Sequence, residues 1–168
     1  VLGRHRKALA LLGKLFKQSK IGKTYWAVVE GAPDAEEGRI DIPLGKLDES
    51  RGWWMKPDPH GAPCATTWTV MGRGSELTWL ALEPLTGRTH QLRVHCAEMG
   101  WPILGDNIYG RAPRSGGPPL HLHSREIVVP ISRNKPAVTI TAPVPEHMRG
   151  ALVKCGWSAE TDNPTPSS

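Results

Sequence analysis

The spacing of hydrophobic residues near the start of the chain predicts an amphipathic helix. Between Arg4 and Ser19 the apolar residues recur at three- and four-residue intervals, which places them on one stripe: Ala8, Leu11, Leu12, Leu15 and Phe16. We expect this helix to end near Gly22. From Val1 to Tyr25 the chain carries seven Lys and Arg residues and no acidic residue. That basic face indicates either a contact with a phosphate backbone or an ordinary solvated surface.

Short runs of β-branched and aromatic residues predict strands further along the chain. The segment TYWAVVEG at 24–31 is the first, and residues 39–44 form a second, shorter one. Residues 66–71 and 77–84 alternate apolar and polar positions on either side of a Gly-Arg-Gly turn, which predicts an antiparallel hairpin. LHLHSREIVVP and PAVTITAP predict two more strands.

Two later segments have helical patterns with stop signals. Residues 90–99, HQLRVHCAEM, lack turn residues and are followed by Gly100, and Thr89 is placed to cap their start. Residues 145–156 predict a closing helix with Gly156 at its C-terminal end. The predicted fold class is α+β, with a mixed, mainly antiparallel sheet and flanking helices. Residues 1–157 form one partial domain, and residues 158–168 are expected to be a disordered tail.

Length and composition narrow the class of protein. At 168 residues the chain suits one domain, and its net charge of +5 with a pI near 9.3 is compatible with an anionic partner. It contains neither an apolar run long enough to span a membrane nor a secretory signal. We therefore expect a soluble, cytoplasmic monomer. Cys64, Cys96 and Cys155 are far apart, so we expect reduced thiols.

The densest group of functional side chains lies on the turn and helix around residue 90. This group suits an oxyanion or carboxylate, because basic side chains there combine with free backbone donors at a helix start. Its members are Arg88, Thr89, His90, Gln91, Arg93 and His95. Arg93 lies in a part-buried helix and needs an acidic partner, since a buried unpaired guanidinium is costly. That partner could be catalytic, or it could be a structural carboxylate of the fold.

Several segments resemble one known family. GRTHQLRVH at 87–95, followed by GWPILGDNIYG at 100–110, is similar to the signature block of the RluA-type pseudouridine synthases. KTYWAVVEG at 23–31 resembles that family's second block, and LHLHSREIVVP and the stretch 142–148 are further matches. Together these matches extend from the first residues to about Trp157. The resemblance implies the catalytic fold of that family, represented by its latter two-thirds.

The implied activity is isomerisation of uridine to pseudouridine in structured RNA, ribosomal or transfer, without a cofactor. In this family the base is detached from its ribose, turned and rejoined through carbon. By resemblance, Tyr25 matches the tyrosine that lies against the flipped base, and Arg93 matches the arginine that pairs with the nucleophilic aspartate. Leu92 matches the apolar residue that packs at the site. The substrate-binding set is then Arg88, Thr89, His90, Gln91 and Leu92.

The family's nucleophile has no counterpart in this sequence. The His-Arg-Leu-Asp motif is absent, and Val1, Leu2 and Gly3 resemble the residues that follow it. The acidic residues available as substitutes lie in unrelated contexts, and Asp106 after Gly105 is expected to fix a turn. We therefore expect a fragment or truncated product that is inactive alone. The alternative is a catalytically dead RNA-binding module of the same fold.

Two further residue groups carry weaker hypotheses. His90, His95, His121 and His123 would be the ligands of a metal-dependent enzyme, but His-x-His in a strand is more often structural, and we predict no metal. Trp26, Trp68 and Trp79 lie in predicted strands and are expected in the core. Trp53 and Trp54 lie in a loop and could contact RNA or a partner.

Overall fold

The computed structural model describes residues 22–47, 54–88, 90–130, 136–160 and 162. Eight strands and two helices occur in these ranges: β1 (Gly22–Glu30), β2 (Glu37–Asp41), β3 (Leu44–Lys46), β4 (Met55–Pro57), β5 (Ala65–Arg73), β6 (Leu77–Pro84), α1 (Gln91–Glu98), β7 (Leu122–Val129), β8 (Val138–Thr141) and α2 (Glu146–Lys154). Six strands form one sheet in the order β2-β5-β6-β1-β7-β8, and β3 pairs with β4 separately. Every pairing among these strands is antiparallel, so the mixed component of the predicted sheet has no counterpart in the described ranges.

The central strand β1 is buried on both faces and divides the core in two. Ala27 and Val29 point to one side and pack with Leu92 and Cys96 of α1. Trp26 and Val28 alternate to the other side and pack with the residues of α2. The sheet is therefore a middle layer with one helix on each face. Trp68 and Trp79 are also buried, which confirms the core prediction for the three strand tryptophans.

The local sequence signals account for most element boundaries. Gly100 and Gly156 follow the two helices with φ angles of 91° and 100°, a left-handed conformation that glycine adopts without strain. The predicted strand 39–44 is instead divided into β2 and β3 at Ile42 and Pro43. Pro43 has no N–H to donate, which explains a break at that point.

The end of the described chain folds back onto the sheet. Arg125 of β7 is buried, places its guanidinium carbon 4.1 Å from the ring centroid of Trp26, and forms an ion pair with Asp162. Ser158 accepts hydrogen bonds from the N–H groups of Glu160 and Asp162, whereas residues 161 and 163–168 of the predicted disordered tail lie outside the described residues. The predicted N-terminal helix lies outside them too. No helix in the described part of the chain is long and apolar enough to cross a bilayer.

Candidate active site

A cleft of about 400 Å³ opens between β1, the turn before α1, and the start of β7. Its volume is within the range of small-molecule pockets, roughly 300–1,000 Å³. The cleft is lined by Lys23, Tyr25, Pro84, Thr86, Gly87, Arg88, His90, Gln91, Leu92, Arg93, Leu120 and Leu122. Every described residue of the predicted catalytic and substrate-binding sets therefore lies in one place. Thr89 lies outside the described residues, as does its predicted capping role.

Tyr25 reaches the cleft from the centre of the sheet. It pairs with Leu82 of β6 on one side and Ser124 of β7 on the other. The register of β1 against β7 shifts between Thr24 and Tyr25, an irregularity of the kind that re-aims a side chain at a functional site. The ring is half-buried and packs against the α1-side core. Tyr25 therefore has a rigid base and an accessible face.

Arg93 forms a two-point ion pair with Asp106. Its Nη2 lies 2.7 Å from Asp106 Oδ1 and its Nε lies 3.1 Å from Oδ2. The Asp106 side chain has no exposed surface, and the Arg93 side chain is 15% exposed. The guanidinium carbon of Arg93 also lies 5.5 Å from the ring centroid of Tyr109. The guanidinium is thus held by one carboxylate at the wall of the cleft.

Asp106 also organises the loop that follows it. Its Oδ1 accepts hydrogen bonds from the backbone N–H groups of Ile108 and Tyr109, each at 3.0 Å. Burial by itself raises the pKa of the Asp106 carboxyl, but the hydrogen bonds from Arg93 and these two N–H groups outweigh it and hold that pKa below its usual value. The predicted turn-fixing role of Asp106 is confirmed, and the same carboxylate is the acidic partner that Arg93 was expected to need.

His90 begins α1 in a strained conformation. Its φ of 54° makes it the single non-glycine residue with positive φ in the described ranges. Its Nδ1 lies 2.7 Å from the Tyr109 hydroxyl, whose oxygen accepts a hydrogen bond from the N–H of Met55 at 2.9 Å. Tyr109, itself held by Met55, thus fixes the orientation of the His90 ring through one hydrogen bond at Nδ1.

The surroundings of His90 keep its ring neutral. Burial lowers the pKa of the His90 imidazole, and the positive charge of Arg93 lowers it further. The left-handed backbone of His90 is strained, and such strain persists only where the surrounding structure enforces it, often at functional sites. His90 therefore offers a neutral, pre-oriented ring beside Arg93.

A buried chain of hydrogen bonds holds α1 against the sheet. Gln91 Nε2 donates to Thr66 Oγ1, the Thr66 hydroxyl is 2.9 Å from His95 Nδ1, and His95 Nε2 is 2.9 Å from the carbonyl oxygen of Ile42. Because the Ile42 carbonyl can only accept, His95 donates from Nε2 and accepts at Nδ1. Burial lowers the pKa of His95 below its usual value, so the ring is neutral.

Gln91 positions the turn as well as the helix. Its Oε1 accepts from the Thr86 hydroxyl at 2.6 Å and from the backbone N–H of Arg88 at 3.1 Å. Its Nε2 also donates to the carbonyl oxygen of Ala65. These bonds occupy the full capacity of the amide. The predicted contact between Gln91 and substrate stays a prediction. It would require one of these hydrogen bonds of the Gln91 amide to break.

The remaining site predictions separate into surface and core positions. Arg88 is exposed at the mouth of the cleft, and Leu92 is 7% exposed at its floor, where it belongs to the core. His95 and His121 use their rings in hydrogen bonds to other protein groups, and no cluster of three metal-ligating side chains occurs among the described residues. The histidine metal site is therefore not formed there.

Comparisons with known proteins agree with the residue pattern. A family model described as RNA pseudouridylate synthase matches residues 1–98. The chain is 36% identical over 148 residues to an uncharacterized RNA pseudouridine synthase of Zymomonas mobilis, a match covering 87% of this chain and 67% of that protein. It is 34% identical over 162 residues to the ribosomal large subunit pseudouridine synthase C of Vibrio cholerae, covering 92% and 50%. The solved structure of human RNA pseudouridylate synthase domain containing 1 has a TM-score of 0.72 and 28% identity, covering 84% of this chain and 62% of that one.

The chain belongs to the RluA-type RNA pseudouridine synthase family. The family prediction and the predicted fold class are thereby confirmed. The chain spans about half the length of several of the curated relatives that it matches.

Three parts of the synthase cleft were missed by sequence reasoning. Lys23 and Thr86 line it, and Tyr109 orients His90 from the far side. Tyr109 belongs to the GWPILGDNIYG block, so the signal was present in the sequence, but its contact with a residue 19 positions earlier was not readable from spacing.

The described lining of the cleft includes Lys23, Arg88 and Arg93 and no Asp or Glu. The described lining is therefore basic in composition and contains no acidic side chain.

Proposed function

We propose that this chain provides the uridine-binding part of the active site of an RNA pseudouridine synthase acting on ribosomal or transfer RNA. The observation that carries the proposal is that Tyr25 and Arg93, distant in sequence, line the same cleft. The Vibrio cholerae relative is named a ribosomal large subunit pseudouridine synthase, which supports a ribosomal substrate for this chain.

The chemistry assigns distinct tasks to the two residues. In the isomerisation the C1′–N1 bond of uridine breaks and a C1′–C5 bond forms. The proton leaves C5 and a proton is taken up at N1, so the product is an isomer of the substrate and no cofactor is consumed. Tyr25 offers an aromatic face for a flipped base, which is the usual way such a base is held, and its hydroxyl would serve in removing the proton from C5. Arg93 is fixed by Asp106, lines the cleft, and would orient and ionise an incoming carboxylate.

The 168-residue chain by itself is proposed to be inactive, because the cleft lacks a nucleophile. Its described lining contains no carboxylate. Asp106 is a poor substitute, since its side chain is fully buried and both oxygens already accept hydrogen bonds. Nucleophilic catalysis requires a group placed within reach of the reacting atom. The aspartate of a His-Arg-Leu-Asp motif would have to come from sequence that this chain does not contain.

The test is a tritium-release assay on RNA labelled at uridine C5. The chain alone is compared with a chimera that carries, before Val1, the segment of the Zymomonas mobilis relative preceding its match. We expect release from the chimera only. Tyr25→Phe in the chimera should reduce the rate by about 10²–10⁴-fold, the usual contribution of a proton-transfer group. Arg149→Gln, on the exposed face of α2, is the control and should be neutral.

Two results would overturn these assignments. Release by the unextended chain would place the nucleophile inside it, and full activity of Tyr25→Phe would remove the tyrosine from the chemistry. The basic, carboxylate-free cleft also favours a second candidate, an RNA-binding module without catalysis. A chimera that binds RNA with strong salt dependence yet releases no tritium would select that second function.

A further inference from the structure

A second cavity of about 330 Å³ adjoins the cleft, formed by the loop at 105–120 together with Arg93. Arg93 and Leu120 line both cavities, so the two are neighbours. Building on the proposed function, we propose that the second cavity binds a phosphodiester of the RNA strand beside the uridine in the cleft. We name this cavity the loop subsite.

The loop is closed tightly at its base and braced across its middle. Gly105 has a φ of 86°, and a Cβ there would lie 2.1 Å from the carbonyl oxygen of Pro119, so the two ends of the loop meet in backbone contact. Asn107 Nδ2 donates to the Arg114 carbonyl at 3.3 Å. Gly117 packs closely on the ring of Pro113. The loop subsite is thus a formed cavity, which binds a ligand without the cost of ordering the chain.

Backbone donors at the tip of the loop are available to an anion. The N–H groups of Ser115, Gly116 and Gly117 donate no hydrogen bond to any described residue. Gly116 has a φ of 78°, and a left-handed residue within a turn helps to turn successive N–H groups toward a common point. Phosphate oxygens are the acceptors that such concavities bind.

The charge around the loop subsite is positive. Asp106 is the single acidic residue between Gly105 and Leu120, and Arg93 neutralises it. Arg114 is exposed, forms no ion pair within the described ranges, and holds its guanidinium carbon 4.7 Å from the ring centroid of Trp54. Stacking fixes the plane of a guanidinium while leaving its N–H edge for a phosphate, which arginine contacts through two parallel bonds.

An RNA strand offers a phosphate on each side of every nucleotide. With the uridine in the cleft, an adjacent phosphate would bind across Arg93 in the loop subsite. Contacts of this kind set the register of a nucleic acid on a protein without reading its sequence. The loop subsite would therefore place one uridine in the cleft and contribute to affinity for any RNA of the right shape.

The experiment measures binding of the 168-residue chain to a fluorescent RNA hairpin with a uridine in its loop. Arg114→Gln is compared with Arg111→Gln, which removes the same charge from the same loop outside the cavity lining. In parallel, the linkages on either side of the uridine are replaced one at a time by uncharged methylphosphonates. Melting temperatures of all variants establish that they remain folded.

We expect Arg114→Gln to weaken binding about five- to tenfold and to reduce the slope of log K against log salt by about 0.7, the value for one single-strand phosphate. Arg111→Gln should change affinity by less than about twofold. One of the two methylphosphonates should replace the phosphate that Arg114 contacts. On that hairpin Arg114→Gln should cause almost no further loss of affinity, because the charge that Arg114 binds is already absent.

Equal losses of affinity for Arg111→Gln and Arg114→Gln would overturn the loop subsite. It would also be overturned if the loss from Arg114→Gln added fully to the loss from each of the two methylphosphonates. Absence of RNA binding by the unaltered chain would also overturn it. Because this readout is binding rather than turnover, it can fail while the chimera releases tritium normally. Conversely, a chimera without activity leaves the binding result standing.

Discussion

The two helices lie on opposite faces of the same sheet, yet they are held by different interactions. α2 buries Met148 and Leu152 completely and presents its polar residues to solvent. α1 buries Gln91 at 3% and His95 at 0% exposure among its apolar residues, and it connects to the sheet through the Gln91, Thr66 and His95 hydrogen bonds. The helix that lines the cleft is therefore the one that depends on polar contacts.

This difference teaches which interactions fix a site in place. Apolar packing on the α2 face tolerates exchanges that conserve side-chain volume, because hydrophobic side chains can repack with a small loss of folding free energy. A satisfied buried network permits one arrangement, since each donor has a single acceptor in reach. We infer that the α2 face contributes stability alone, whereas the polar contacts on the α1 face contribute stability and also fix the positions of Arg93 and His90.

The largest effect should follow from removing the carboxylate behind Arg93. Asp106→Ala leaves a largely buried guanidinium unpaired and two backbone N–H groups without an acceptor. We expect a loss of about 3–5 kcal/mol in the free energy of unfolding, measured with urea. Asp162→Ala breaks the ion pair with Arg125, which lies over Trp26 on the α2 side of the sheet. It serves as a comparison for RNA affinity and should leave that affinity unchanged. A loss below about 1 kcal/mol for Asp106→Ala would show that the pair is not structural.

A truncation on the α2 face should separate stability from binding. Leu152→Ala creates a cavity where the side chain is fully buried, and we expect about 3 kcal/mol of destabilisation. RNA affinity of the folded fraction should stay within twofold, as measured by fluorescence anisotropy at low temperature. A large loss of affinity would mean that the two faces are coupled and would contradict the division made above.

The polar network can be broken at its middle member with little change in shape. Thr66→Val removes the hydroxyl that accepts from Gln91 and donates to His95, leaving buried groups unsatisfied at a cost of about 1–3 kcal/mol. Thr69→Val changes an exposed residue of the same strand and should cost almost nothing. Thr66→Val should also weaken RNA binding, since Gln91 positions the turn at Arg88. Equal stability of the two variants would indicate that the network is dispensable.

The smallest effect concerns pH. Because the folded pKa of His95 is lowered by burial, the unfolded chain binds its proton first, so the contribution of His95 is lost as pH falls below about 6.5. His90, His121 and His123 are shifted in the same direction, so wild-type stability should fall from neutral to mildly acidic pH. His95→Gln should be less stable at neutral pH, and the difference from wild type should narrow in acid. A stability difference between wild type and His95→Gln that widens in acid would contradict a neutral His95 ring.

Much of the fold could be predicted because the signals are local. The alternation in β5 and β6 predicted their pairing, and the glycines after α1 and α2 predicted where each helix ends. The division of residues 39–44 was missed although Pro43 signals it locally, because the run was interpreted as one strand. The ion pair between Arg93 and Asp106 and the orientation of His90 by Tyr109 were missed because neither contact can be derived from sequence spacing. Patterning fixes which face of an element is buried, but partners across the fold are chosen by tertiary packing.

For protein engineering, the left-handed backbone at His90 means that greater stability and a complete cleft favour different residues at this position. Glycine or asparagine at that position would relieve the strain, so a library selected only for thermal tolerance would be enriched in them. Each would delete the imidazole that faces the cleft. Stabilisation campaigns on this scaffold should keep codon 90 fixed, and a hit at that codon would be a marker of selection for the wrong property.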